Sequence, residues 1–175
     1  GKIKYLKSTS DIFFENNYSN FDFVFIDGLH EYRQVSRDII NSLNLLSANG
    51  VLLIDDVIPL DEFAATSWSL LTKKQKKDVS KGKFPWQGDV FRSICLIETI
   101  YGQQLNFRLL IDDKHFQLLI WKKNSKETFE FLKESQFQKF RNLTYADFLK
   151  NNFIKKWNPS NLNQVLIELS EKSII

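Results

Sequence analysis

Asp27, His30, Asp55 and Asp56 are side chains that bind cations or move protons, and each lies at the end of an apolar run or just past it. Asp27 follows FDFVFI at Phe21–Ile26, and Asp55-Asp56 follows VLLI at 51–54. If the two runs are neighbouring strands, about 4.8 Å apart, carboxylates from both meet around one ligand or one hard cation such as Mg²⁺. His30 comes three residues after Asp27 and suits a general base at neutral pH. The bland alternative has weight. A single acid at a strand end more often caps a turn or a helix, and a lone histidine is more often structural. Three acids and a histidine at one edge shift the reading towards function.

The elements around these residues support a shared edge. Phe21–Ile26 is short, apolar and β-prone, which is the pattern of a buried parallel strand. In the helix predicted over residues 30–47, Val35, Ile39, Leu43 and Leu46 recur at helical spacing, while Arg33, Arg37, Asp38 and Asn41 face away. Asn49-Gly50 is expected to end that helix, and 51–54 reads as a second buried strand. Two strands joined by such a helix make a right-handed βαβ unit. In an open parallel sheet, ligands bind beyond the carboxyl ends of the strands, where Asp27, Asp55 and Asp56 fall.

The remaining chain reads as follows. Residues 2–7 alternate around Ile3, Tyr5 and Leu6 as a short strand, and Ser8, Thr9 and Ser10 offer caps to a short helix through Asn16. Residues 59–88 are irregular. Lys73, Lys74, Lys76 and Lys77 lie there on a solvated helix. Trp86 sits in a loop, more often packing than recognition, but able to close over a ligand. Asp89 is expected to cap a helix over 90–101 that Gly102 stops, with Cys95 facing the core as a structural residue. Strands are predicted at Leu105–Ile111 and 116–121, joined by a hairpin turn at 112–115 that leaves His115 solvated. The tail is read as helical at 126–140, at 145–155 behind Thr144, and from Pro159-Ser160 to Ser170.

Composition restricts the function classes. The chain has 175 residues, 43% apolar and 14% aromatic with 16 Phe, enough for a real core and too apolar for disorder. A net charge of +3 gives no argument for nucleic acid, and no apolar run approaches the length of a membrane helix. The single Cys95 cannot form an internal disulfide, so a cytoplasmic, reducing compartment is expected.

The segments FDFVFIDGLHEYRQVSRDI at 21–39 and LLSANGVLLIDDVIP at 45–59 resemble the later half of a class I S-adenosylmethionine-dependent methyltransferase domain. The nearest pattern is Asp27-Gly28-Leu29-His30-Glu31-Tyr32 after the fourth strand, with an acidic pair after the fifth. Residues 8–14 resemble the segment that approaches the adenine, and WQGDV at 86–90 resembles the start of the next helix in one bacterial subgroup. The resemblance spans about residues 3–122 and is most specific over 21–59. It implies an α/β, Rossmann-like fold lacking its first strand–helix units, with a mostly parallel sheet ending in an antiparallel hairpin and a helical C-terminal tail. The domains implied are a partial methyltransferase-like domain at 1–122 and a helical extension packed on it at 123–175.

For the site, the resemblance implies His30 and Asp27 as catalytic residues and Thr9, Ser10 and Asp27 around S-adenosylmethionine. It implies Asp27, Asp55 and Asp56 as ligands of Mg²⁺, and Asp56 and Trp86 towards a small-molecule acceptor, with a sugar or polyketide hydroxyl as the methylated group. One feature of the family is missing. The six glycines, at 1, 28, 50, 82, 88 and 102, form no Gly-x-Gly turn to cradle the methionine end of the cofactor. A truncated domain is therefore expected, and the alternative is a structural or interaction module that binds no cofactor. Without its usual neighbour, the Phe21–Ile26 strand becomes an exposed apolar edge, to be covered by the tail, by the N-terminal segment or by a second copy in a homodimer.

Overall fold

The computed structural model describes residues 2–17, 19–111 and 116–171. The elements run α1 (Ser10–Glu15), β1 (Phe21–Ile26), α2 (Tyr32–Leu45), β2 (Leu46–Ile54), α3 (Lys73–Val79), α4 (Val90–Tyr101), β3 (Leu105–Ile111), β4 (Phe116–Lys122), α5 (Glu134–Arg141), α6 (Tyr145–Lys150), α7 (Phe153–Lys156), β5 (Pro159–Ser160) and α8 (Leu162–Glu171). The five strands form one sheet in the order β1-β2-β4-β3-β5. β1 pairs parallel with β2, and β3 with β5, while β4 pairs antiparallel with both β2 and β3. The sheet is therefore mixed rather than mostly parallel, because β4 returns between β2 and β3. The architecture is α/β and consistent with a Rossmann-like fold. The turn expected at 112–115, with His115, lies outside the described residues.

The two faces of the sheet are covered unequally. On one face Val24, Ile26, Leu52, Ile54, Leu118 and Ile120 pack under α2 and α4, where Val35, Ile39, Leu43, Phe91 and Ile94 are buried. The tail adds Phe129, Phe137, Phe148 and Trp157 to this same core. Truncating one fully buried residue such as Ile39 to Ala costs about 2–5 kcal/mol. On the other face, α8 sets Val165 and Leu169 against Val51, Leu119 and Trp121. Arg108 Nε and Nη2 fix α8 by donating to the two Glu168 carboxylate oxygens, both at 2.7 Å. Phe23 and Phe25 lie beside Val51 and Leu53 on this face but beyond the reach of α8, and both are exposed.

Several boundaries depart from the sequence expectation for identifiable reasons. Residues 2–7 form no strand, and Ile3, Tyr5 and Leu6 are exposed, because no sheet edge pairs with them. The α2 helix stops at Leu45, and Gly50 lies within β2 rather than ending a helix. A Cβ at Gly50 would stand 2.7 Å from Phe21 O, so glycine there permits the close approach of β1 and β2. Residues 126–133 are not helical beyond a turn at 125–126. The Asn44 side-chain amide donates to Phe129 O and accepts from Phe129 N, both at 2.9 Å, taking up the backbone groups a helix would use. The helix expected at 145–155 breaks into α6 and α7 at Asn152, which has φ 53°. Pro159-Ser160 forms the short strand β5 instead of opening the last helix.

Candidate functional site

The site is built where β1 and β2 end. Asp27 follows β1, and the chain reverses after β2 through Asp56, which has φ 57°. That left-handed conformation is uncommon for a residue with a side chain, though Asp tolerates it better than most. It accompanies a cluster in which His30 Nε2 lies 3.5 Å from Asp27 Oδ1 and 3.4 Å from Asp56 Oδ2. Both separations are longer than an ordinary N–H···O bond. Asp27, His30 and Asp56 each present a donor atom within 4.8 Å of the other two, the one such group of His, Cys, Asp and Glu among the described residues. Asp27 is exposed, whereas His30 and Asp56 are partly buried.

Asp55 takes a different part from the one expected. Its Oδ1 accepts the backbone N–H of Asp56 at 2.9 Å, and its own N–H donates to Ile26 O at 3.0 Å. It caps the turn that carries Asp56, and it is not among the three residues that converge.

His30 is seated by the segment Trp86-Gln87-Gly88-Asp89. The Trp86 ring stacks on the imidazole at 5.4 Å with an interplanar angle of 25°. Its indole N–H donates to Thr66 O at 2.7 Å, and Trp68 packs against it at 5.0 Å. Gly88 has φ 65°, and a Cβ there would come within 2.1 Å of His30 O. Asp89 makes no side-chain cap on α4, contrary to the sequence expectation. Its Oδ1 instead accepts the Tyr32 N–H that opens α2, at 2.7 Å, while Oδ2 accepts from Ser67 Oγ at 2.6 Å and Arg92 at 3.1 Å. A buried carboxylate thus caps a helix 57 residues away in the chain. His30 Nδ1 is buried and has no hydrogen-bond partner among the described residues.

Thr9, Ser10 and Asp27, the residues expected around the cofactor, line one cavity of about 640 Å³ between α1, α2 and the β1 edge. Thr9 Oγ1 accepts from Ile12 N at 3.4 Å as the cap of α1. Ser10 Oγ accepts from Gln34 Nε2 at 3.0 Å, and the same amide reaches Asp38 Oδ1 at 3.0 Å. Burial raises the pKa of Asp38, against the lowering effect of hydrogen bonds from Ser10 and Gln34. Ser42, fully buried, also lines this cavity, and its hydroxyl has no partner among the described residues. Asp38 and Ser42 were missed as lining residues. Asp38 lies four residues from both Gln34 and Ser42, so one face of α2 carries them, but only the position of α1 turns that face into a wall.

Trp86, expected against the acceptor, stacks on His30 and packs against Trp68. Cys95 is fully buried, and burial pushes its thiol pKa well up, which fits a structural residue. The lysine group lies on α3, whose residues are nowhere buried. No helix among the described residues is long and apolar enough to cross a membrane.

The sheet, with a His–Asp cluster beyond two parallel strands, is consistent with the Rossmann-like class of α/β folds, whose ligands bind at the carboxyl ends of the strands. Within that class, residues 2–57 match a family described as a methyltransferase domain. The match bears out the resemblance to a methyltransferase domain for residues 2–57, about a third of the chain. It ends one residue past the Asp55-Asp56 pair. No curated protein and no solved structure matches the chain.

Proposed function

We propose that this chain supplies the acceptor side of an S-adenosylmethionine-dependent methyltransferase acting on a hydroxyl of a small molecule, with a sugar as the leading class. The observation that carries this reading is the convergence of Asp27, His30 and Asp56 beyond two parallel strands. His30 Nε2 takes the proton of the acceptor hydroxyl, and the flanking carboxylates stabilise the charge that the imidazole gains. The stack on Trp86 and the backbone contact at Gly88 hold the ring in place, so little alignment is left to chance as the hydroxyl approaches.

A dication fits the donor set. Mg²⁺ would take the oxygens of Asp27 and Asp56 and leave His30 Nε2 free as the base, whereas a first-row transition dication that also took this nitrogen would bar it from that role. Such an ion would polarise the acceptor oxygen. The cofactor fits less completely. The cavity at Thr9, Ser10 and Asp27, with the unpartnered Ser42 hydroxyl in its wall, offers room and polar groups for the adenosine end. The glycine-rich turn for the methionine end is absent from the 175 residues. S-Adenosylmethionine supplies the methyl group when bound, and this chain alone is expected to bind it weakly or not at all. A second strand belongs beside β1, and a second copy of the chain pairing there is the partner we favour. A reducing, cytoplasmic compartment suits the buried free thiol of Cys95.

Calorimetric titration with Mn²⁺, Mg²⁺ and S-adenosylmethionine tests the reading. Mn²⁺ binding that falls about tenfold or more in Asp56→Asn supports the cluster as a site. No dication binding, together with no S-adenosylmethionine binding in the presence of either ion, favours the second reading. In that reading the chain is an interaction module on a methyltransferase-like scaffold, which the missing glycine turn and the open β1 edge support.

A further inference from the structure

A second cavity, of about 610 Å³, shares no lining residue with the one beside α1. Its wall is formed by the first turns of α2 and α4, the 67–70 segment and the end of α5. Three arginines line it, Arg33, Arg92 and Arg141, against two acidic residues, Glu31 and Asp89. Two of the cations are already neutralised. Arg92 lies 3.1 Å from Asp89, whose remaining capacity goes to Tyr32 N and Ser67 Oγ. Arg33 pairs with Glu134 and lies over the Phe137 ring. Arg141 makes no hydrogen bond among the described residues, although its charge is felt at the Glu134 carboxylate that Arg33 holds, and the Glu31 side chain makes no cap on α2. Three arginines share two carboxylates, Asp89 and Glu134, so a guanidinium without a hydrogen-bonded acid and the Glu31 carboxylate line one cavity.

We propose that this cavity binds a hydroxylated small molecule carrying one carboxylate or phosphate group. A guanidinium matches either oxyanion through parallel N–H donors, so the anion meets Arg141, with Arg33 beside it. A carboxylate only accepts at neutral pH, so Glu31 takes ligand hydroxyls, assisted by the Ser69 hydroxyl. The size suits one sugar unit. The placement also connects to His30. Glu31 follows it in the chain, and Asp89, in the cavity wall, donates its N–H to His30 O at 3.4 Å. Naming this ligand as the methyl acceptor rests on the methyltransferase reading, whereas the binding itself does not.

Calorimetry on the 175-residue chain, without S-adenosylmethionine or metal, tests the site with glucuronate, glucose 6-phosphate, glucose and inorganic phosphate. The anionic sugars are expected to bind about tenfold or more tightly than glucose, and Arg141→Ala to remove about tenfold of that affinity. Arg141 is exposed and makes no hydrogen bond among the described residues, so the variant keeps its fold, and Lys155→Ala on α7 serves as the unaffected control. Glu31→Gln is expected to weaken the anionic sugars and leave inorganic phosphate unchanged. Equal affinity for glucose and its anionic relatives, no binding of any probe, or no response to Arg141→Ala overturns the proposal. Inorganic phosphate binding as tightly as glucose 6-phosphate overturns the hydroxyl half of it. Failure of the methyltransferase reading would appear in the cofactor and dication titrations and leave these results intact.

Discussion

The carboxyl end of β1 and its open edge belong to the same six-residue strand, yet they are opposite kinds of surface. At the end, Asp27 meets His30 and Asp56, and residues 86–89, from 56 to 59 positions further on, pack against His30. Along the edge no strand among the described residues pairs with β1, and Phe23 and Phe25 stand exposed on the face that α8 does not reach. The difference teaches where this fold invests its tertiary contacts. The polar cluster is held by several segments at once, while the apolar edge is left uncovered by the described residues.

The steric claim gives the largest expected effect. Gly88→Ala places a Cβ against His30 O and forces a positive φ on a side-chain residue, so unfolding in urea should show a loss of about 3 kcal/mol. Gly28→Ala, at the same edge but with nothing within 4 Å of the new Cβ, should cost less than about 1 kcal/mol. Equal losses at the two glycines would break the claim that residues 86–89 seat His30.

Asp56 comes next. Asp56→Ala and Asp56→Gly both remove the carboxylate and should both abolish any dication binding. The glycine variant should be about 1 kcal/mol more stable, because φ 57° suits glycine. An alanine variant as stable as the glycine variant would show that the turn relaxes without its left-handed residue.

Asp38 offers a pH test of the cavity beside α1. Burial raises its pKa in the folded chain above the unfolded value. Its contribution to stability is therefore full below the unfolded pKa and is lost as pH rises through the folded one. Asp38→Asn should accordingly gain at most about 1 kcal/mol at neutral pH, with the gain vanishing in acid. A gain that persists at acid pH would assign the effect to packing instead.

The smallest effect belongs to the open edge. The double variant Phe23→Ser, Phe25→Ser should change monomer stability by less than about 1 kcal/mol, since both rings are about half exposed already. Sedimentation should show weaker self-association in the variant. A large stability loss with unchanged sedimentation would mean that the two rings are covered within the single chain, contrary to the exposed edge.

Local pattern made much of this legible. The apolar run FDFVFI, the helical spacing of Val35, Ile39 and Leu43, and the Thr9 cap placed β1, α2 and α1 within a few residues. The edge position of Asp27, His30 and Asp56 followed from two strands ending in acids. What local pattern missed was set by groups distant in sequence. Asn44 holds Phe129 out of a helix, Asp89 caps α2 rather than α4, and β4 entering between β2 and β3 makes the sheet mixed.

The sequence by itself determined the types of chemistry present, because carboxylates and an imidazole at strand ends follow from hydrophobic runs and the residues that stop them. Tertiary structure alone decided which of them act together. Asp55 and Asp56 are adjacent in the chain, and a left-handed backbone accompanies one carboxylate at His30 while the other caps the turn. Trp86 and Gly88 became parts of the same site only because the loop before α4 folds back over His30, a contact that no periodicity in the sequence records.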